Sequence, residues 1–299
     1  MYLSIWFGIM VSTQSGCSIP GRTAPPPYAG QIQAPTQVAQ APAQSPLQPS
    51  QPRPNPMAQR LNEPSTMPQV PPAGARLSYS SIQTTQKVVA MTFDDGPHPT
   101  HTPRLLKILR DRNIKATFYL VGKNAKAYPA IVRQMIAEGH EIGNHTWTHG
   151  SLTSMSDDQI RRELKMSADA VYAAAGYRPQ TIRPPYGAVN ARVKQLIYSE
   201  FGYPTIMWSV DPQDWRRPGV SVVTSRIVNG AHPGAILLAH DIHAPTIEAM
   251  PSTFDQLLAK GYRFVTVSQL MNIEKASAPL GVLMGPASAV GQDPEPLPQ

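Results

Sequence analysis

The chain has 299 residues, a formal net charge of +7, 33 prolines and a single cysteine. That length holds one large domain or two small ones, and one cysteine excludes an intramolecular disulfide. The positive balance comes without a Lys/Arg run, which excludes the charge footprint of a nucleic-acid binder and suits an anionic surface such as a cell wall.

The N-terminus opens on a short apolar stretch, residues 1–11, and the small residues Ser15 and Gly16 then precede Cys17. The stretch is too short to span a bilayer. The pattern resembles a bacterial lipoprotein signal with Cys17 as the lipidated residue, and it predicts export to the cell envelope with membrane anchoring there. Residues 18–80 are dominated by Pro, Gln, Ala and Ser, with few branched aliphatics. Such a segment buries too little apolar surface to offset the entropy of ordering it, and it reads as a disordered, partly polyproline II linker. A folded domain is expected over 81–275 and a flexible tail over 276–299.

Within the domain, Lys87–Phe93 reads as an apolar strand. Thr102 and Pro103 read as the cap and first turn of a helix carrying Leu105, Leu106, Ile108 and Leu109. Ala116–Val121 is a second strand, Pro129–Ala137 a helix closed by Gly139, and Glu141–Thr146 a third strand. Ser156 and Gln159 form a capping box ahead of the helical stripe Ile160, Leu164, Ala168 and Val171. Then come a strand at Thr181–Arg183, a helix over Ala191–Glu200, a strand over Pro204–Val210 and a helix near Val220–Asn229. Ala235–Ala239 and Tyr262–Thr266 are the last strands, with a helix between them. Strands that are apolar on both faces and alternate with helices signify a parallel sheet covered by helices. About seven such units fit, which favours a barrel over an open sheet.

Catalytic groups of a parallel barrel gather at the carboxyl ends of its strands. Here those ends carry Asp94-Asp95, His145 with His149, Arg183, Asp211 with Asp214, and His240-Asp241. Two histidines four apart lie on one side of a turn if helical. Two histidines and a carboxylate make a common hydrolytic zinc shell with one position open. Of the adjacent aspartates, one can ligate while the other stays free as a general base.

The segments TFDDGP, HTWTH, RPPYG, DPQDW and LAH, in this order and spacing, resemble the NodB-type polysaccharide deacetylases, carbohydrate esterase family 4. The resemblance covers about residues 86–272. It implies an α/β fold, a distorted (β/α)7 barrel, and metal-dependent removal of acetyl groups from an N-acetylglucosamine polymer. Transferred by motif, Asp95, His145 and His149 would bind the metal, most simply Zn2+, with Co2+, Mn2+ and Ni2+ as alternatives. Asp94 would be the base, Arg183 would orient it, and Tyr186 would offer its backbone N–H to the oxyanion. Asp214 would orient Arg183 or tune the catalytic histidine. Trp215 would line the groove, Leu238 would pack on the acetyl methyl, and His240 would protonate the leaving amine.

Peptidoglycan is the favoured substrate, since an exported and tethered enzyme works on nearby wall. Chitin oligomers, poly-N-acetylglucosamine and O-acetyl xylan are alternatives. A catalytically inactive wall-binding lipoprotein is the rival from another class, and the full set of ionisable residues argues against it. A serine esterase would need G-x-S-x-G, which the chain lacks. Trp147 is expected to pack, and His98, His101 and His243 are expected to be surface residues. His140 and His232 carry no signal.

Overall fold

The computed structural model describes residues 76–277. The predicted leader at 1–17 with Cys17, the linker up to residue 75 and the tail beyond residue 277 lie outside the described residues. Folded structure begins earlier than the sequence predicts. Strand β1 (Ser78–Tyr79), inside the stretch read as linker, pairs in parallel with β5 (Thr205–Ile206). Arg76 ties this entry down by bonding Glu274 and the carbonyls of Ser78 and Ser81. Composition misses so short a strand because its partner lies more than a hundred residues away.

The centre of the fold is β2 (Val88–Asp94), buried along its whole length. It is flanked by β3 (Thr117–Leu120) and then β4 (Glu141–Asn144) on one side, and by β6 (Ala235–His240) on the other, all in parallel. Strand β7 (Arg263–Phe264) pairs with the first residues of β2. Beyond β4 the ladder thins to one residue, Ile182, which bridges Asn144 on one side and Thr205 on the other. Val210 then returns to Leu237 on β6 and closes the ring. The result is a distorted barrel. The strands expected over 181–183 and 204–210 shrink to bridges and the dipeptide β5, because the chain there bends to build the mouth of the barrel.

The period of two along each strand sorts the side chains. On β2, Val89, Met91 and Phe93 pack against the helices, while Val88 and Ala90 face the barrel interior. Continuing the alternation places Thr92 and Asp94 inside. On β6, Leu237 and Ala239 face the helices and Ile236 faces inward, so Leu238 and His240 share the inner face. Register completes the arrangement, since Asp94 lies directly beside His240.

The helical layer follows the expected stripes. Helix α1 (His101–Asp111) buries Leu105, Leu106 and Leu109. Thr102 does not cap it; the helix starts at His101, two residues earlier than expected, and the Thr102 hydroxyl instead bonds the Asp241 carboxylate and accepts from the His98 N–H. A short helix, α2 (Gly122–Ala127), follows β3 and carries no apolar stripe by which the sequence could betray it. Helix α3 (Pro129–Ala137) ends at Glu138, one residue before Gly139 with φ +78°. The capping box forms as expected at the start of α4 (Asp157–Ala175). Next come α5 (Ala191–Phe201), α6 (Val220–Gly230), α7 (Ala244–Ala259) and α8 (Val267–Ser277). The last was not expected and runs two residues into the predicted tail. No helix among the described residues is long and apolar enough to cross a membrane.

Candidate active site

Loops at the carboxyl ends of the barrel strands enclose a cleft of about 520 Å³. It is lined by every residue singled out from the motifs except Arg183 and Asp214, which lie buried behind it. Trp208, which the sequence did not single out, and Asp211, named at a strand end but given no role, also line the cleft. Trp208 sits in a stretch whose apolar character reads only as strand. Asp211 stands in the DPQDW segment, where position alone does not separate it from Asp214.

The loops are held in unusual backbone conformations. Among the described residues seven non-glycine residues have positive φ, and six of them, Asp95, Thr146, His149, Tyr186, Gln213 and Arg217, lie on loops around the cleft. The left-handed region costs a β-carbon-bearing residue energy, and such residues concentrate where side chains must be aimed. HTWTH is one of these loops. His145 and His149 do not lie on a helical turn. They converge because Thr146 and His149 both turn left-handed, and the Glu163 carboxylate accepts from the N–H groups of Trp147 and Thr148 and from the Thr148 hydroxyl. Trp147 packs against the core, as expected.

Asp95, His145 and His149 each aim one ligand atom at a common point, all within 4.8 Å of one another. Asp95 Oδ1 lies 3.4 Å from His145 Nε2 and 3.1 Å from His149 Nε2. That oxygen is buried and has no hydrogen-bond partner, an arrangement that a cation relieves. His145 Nδ1 donates to the Arg183 carbonyl at 2.6 Å, which leaves the Nε2 lone pair facing the cluster. Burial works against ionisation of Asp95, but the two imidazoles outweigh it and hold the carboxyl far below the usual carboxylate range. An anionic oxygen and two imidazole nitrogens on one point fit a divalent transition cation.

Asp94 is separated from this set by Arg183. The guanidinium is fully buried and donates to Asp94 Oδ1 at 2.8 Å and to Thr92 Oγ1 at 2.6 Å. Its other N–H groups bond the carbonyls of Ile206 and Met207, and Tyr119 lies under its plane at 4.4 Å. A guanidinium so fixed locks the orientation of its carboxylate. Asp94 Oδ2 is left facing the cluster, 3.8 Å from His145 Nε2.

Across the cleft, Asp214 resolves the alternative left open by the motifs. It contacts His240, not Arg183. His240 Nδ1 lies 2.8 Å from Asp214 Oδ1, and Asp214 Oδ2 accepts from the His240 N–H and the Thr246 hydroxyl, both at 2.8 Å. Burial pulls His240 down, but the Asp214 bond and the charges of Asp214, Asp94 and Asp95 reverse this and push it up to about 9. Burial raises Asp214 and the His240 contacts overcome it, so its carboxyl sits below the ordinary value.

Behind the cleft lies a carboxyl noted at a strand end but given no role by the motifs. Asp241 is fully buried, and burial pushes it up to about 7 against the opposing bond from Thr102. It explains the glycine of DDGP, since a Cβ on Gly96 would fall 2.3 Å from Asp241 Oδ2. His98, His101 and His243 are only partly exposed, and the rings of His98 and His101 stack at 4.2 Å. His140 is buried and accepts from the Ala116 N–H, while His232 is exposed.

The family profile described as polysaccharide deacetylase matches residues 81–206. A Bacillus cereus protein named peptidoglycan-N-acetylglucosamine deacetylase is 37% identical over 195 residues, covering 64% of this chain and 91% of that one. The chain belongs to the polysaccharide deacetylase family. Another member, the peptidoglycan-N-acetylglucosamine deacetylase of Listeria monocytogenes, is 41% identical over 186 residues. The match covers 62% of this chain and 39% of that one, so the chain spans about two fifths of the length of this relative. Among solved structures, the peptidoglycan deacetylase of Bacillus subtilis superposes with a TM-score of 0.61 at 36% identity, over 64% of this chain and 93% of that one. The profile match ends at residue 206, so in this family member the case for Asp214, Trp215, Leu238 and His240 rests on their geometry.

Proposed function

We propose that this polysaccharide deacetylase hydrolyses the N-acetyl groups of N-acetylglucosamine residues in peptidoglycan. One observation carries the reading. A carboxylate–His–His cluster and a carboxylate-backed histidine face each other across one cleft, with a separate carboxylate, Asp94, between them.

An amide resists hydrolysis because its carbonyl is weakly electrophilic and its amine is a poor leaving group. A divalent cation held by Asp95, His145 and His149, for which we favour zinc, would supply the Lewis acidity that polarises the acetyl carbonyl and acidifies water. The remaining work falls to the chain's own groups. Asp94 Oδ2, free of Arg183, takes the proton from the attacking water. Arg183 positions Asp94 and keeps its second oxygen occupied. The backbone N–H of Tyr186, presented by a left-handed turn at the cleft wall, stabilises the oxyanion. Leu238, on the inner face beside His240, packs on the methyl group, and Trp215 offers an exposed indole to a sugar face. His240, held protonated by Asp214, gives its proton to the departing amine. Water adds across the C–N bond, and acetate and a glucosamine residue leave.

The names of the relatives support peptidoglycan over chitin oligomers, poly-N-acetylglucosamine or O-acetyl xylan. We place the enzyme in the cell envelope, exported by its N-terminal segment and held there through a lipid on Cys17, which the Ser15-Gly16-Cys17 pattern supports. The test is mass spectrometry of purified peptidoglycan and of chitin oligomers after incubation with the enzyme. Loss of acetyl groups from glucosamine residues of peptidoglycan is expected. Intact acetylation of both, with the metal site loaded, would turn the reading toward a wall-binding protein.

A further inference from the structure

Past His240 the cleft meets a second hollow of about 320 Å³, lined by His101, Arg217, Ile242, His243, Ala244 and Pro245. The two adjoin, since the rings of His240 and His243 are 6.1 Å apart and Arg217 follows the cleft residue Trp215 by two positions. Among the described residues no carboxylate lines the second hollow.

Its polar side chains are the guanidinium of Arg217 and the imidazoles of His101 and His243. Arg217 is exposed, and among the described residues no carboxylate pairs with it. Its left-handed backbone, φ +55°, fixes the direction in which the guanidinium leaves the chain. Asp214, close by in sequence, already serves His240 and Thr246. His101 Nδ1 is buried without a hydrogen-bond partner. Helix α7 begins at this wall, at Ala244, with no acidic side chain in its first turn and no side-chain cap. A helix of sixteen residues brings the positive end of its dipole to that point.

We propose that this hollow is an anion subsite that takes a carboxylate carried by the sugar next to the one being deacetylated. This rests on the peptidoglycan reading above and sharpens it. In peptidoglycan the neighbouring sugar bears a lactyl ether whose carboxyl is either free or extended by an acidic peptide, whereas a homopolymer of N-acetylglucosamine is neutral. A charged hydrogen-bonding site next to the reaction centre would therefore separate the two glycans, chiefly through Arg217.

The test is equilibrium binding to the full chain by titration calorimetry. The probes are a neutral N-acetylglucosamine tetramer, an alternating glucosaminyl–muramyl tetrasaccharide with free lactyl carboxylates, and the same tetrasaccharide carrying its peptides. Wild type should prefer an acidic probe, and the acidic probe that binds more tightly identifies which carboxylate is held. R217Q should lower the acidic-to-neutral preference about ten-fold, the effect of losing one charge-assisted hydrogen bond. R217K should keep part of the preference, and added salt should erode it in wild type. H243Q, judged by the same ratio, stands in if R217Q melts early. A preference that is absent in wild type, or equal in wild type and R217Q, overturns the subsite. Acetate release is followed on the same samples. Its absence with the binding preference intact would refute the deacetylase reading and leave the subsite standing.

Discussion

Replacing Asp214 with asparagine isolates what that carboxylate does for His240. The pair is buried, and Asp214 accepts from both the ring and the backbone N–H of His240. Asparagine keeps an acceptor for the ring but removes the charge that favours imidazolium. His240 acts as an acid only while protonated, so its contribution is present below its pKa and lost as pH rises through that value. In the wild type that value is about 9. If the variant returns His240 to about 6.5, the protonated fraction at pH 8 falls from roughly 0.9 to roughly 0.03, a loss of about thirty-fold, whereas at pH 6 it falls only by about a quarter. The defect of D214N should therefore grow with pH, and the alkaline limb of kcat/KM should move toward acid. The assay is acetate release from a glucosamine amide between pH 5.5 and 9.5. A defect of the same size at every pH would show that Asp214 only shapes the loop, and the acid role given to His240 would lose its support.

Three further outcomes follow from the same geometry. His149→Ala should lose bound divalent metal by elemental analysis, whereas Asp94→Asn should retain it and lose about 10²–10⁴-fold in rate; metal loss in the Asp94 variant would exchange the roles of the two aspartates. Arg183→Met should destabilise the domain by about 3–5 kcal/mol, because it leaves the buried Asp94 carboxylate without its partner, and a melting temperature equal to wild type would contradict this. Truncation to residue 76 should leave thermal stability intact, while truncation to residue 81 should lower it by stripping β1 from β5; equal melting temperatures would place the domain boundary where composition put it.

Much of the architecture is legible in the linear sequence because its signals are local. The run Val88–Phe93, the capping box at Ser156 and the stripe of α4 each state their structure within a few residues. The identity of the reacting groups is legible for a related reason. Aspartate, histidine and arginine at strand ends are rare enough in combination to specify hydrolytic chemistry, and Asp95, His145 and His149 do converge. Elements whose stability comes from a distant partner are less visible. Strand β1 is two residues long and depends on β5, and α2 has no apolar stripe.

What the tertiary structure alone decides is pairing. Motif order leaves Asp214 between Arg183 and His240, and only the packed loop brings its oxygens to the histidine. The convergence of His145 and His149 looks like a helical spacing, but left-handed turns and Glu163 produce it. The burial of Asp241 and the hollow beside His243 carry no pattern in sequence, since a buried carboxyl and an unpaired guanidinium are defined by what surrounds them. Residue types and short-range periodicity are written along the chain. Burial, charge pairing and pKa depend on groups far apart in sequence, and folding is what brings those groups within range of one another.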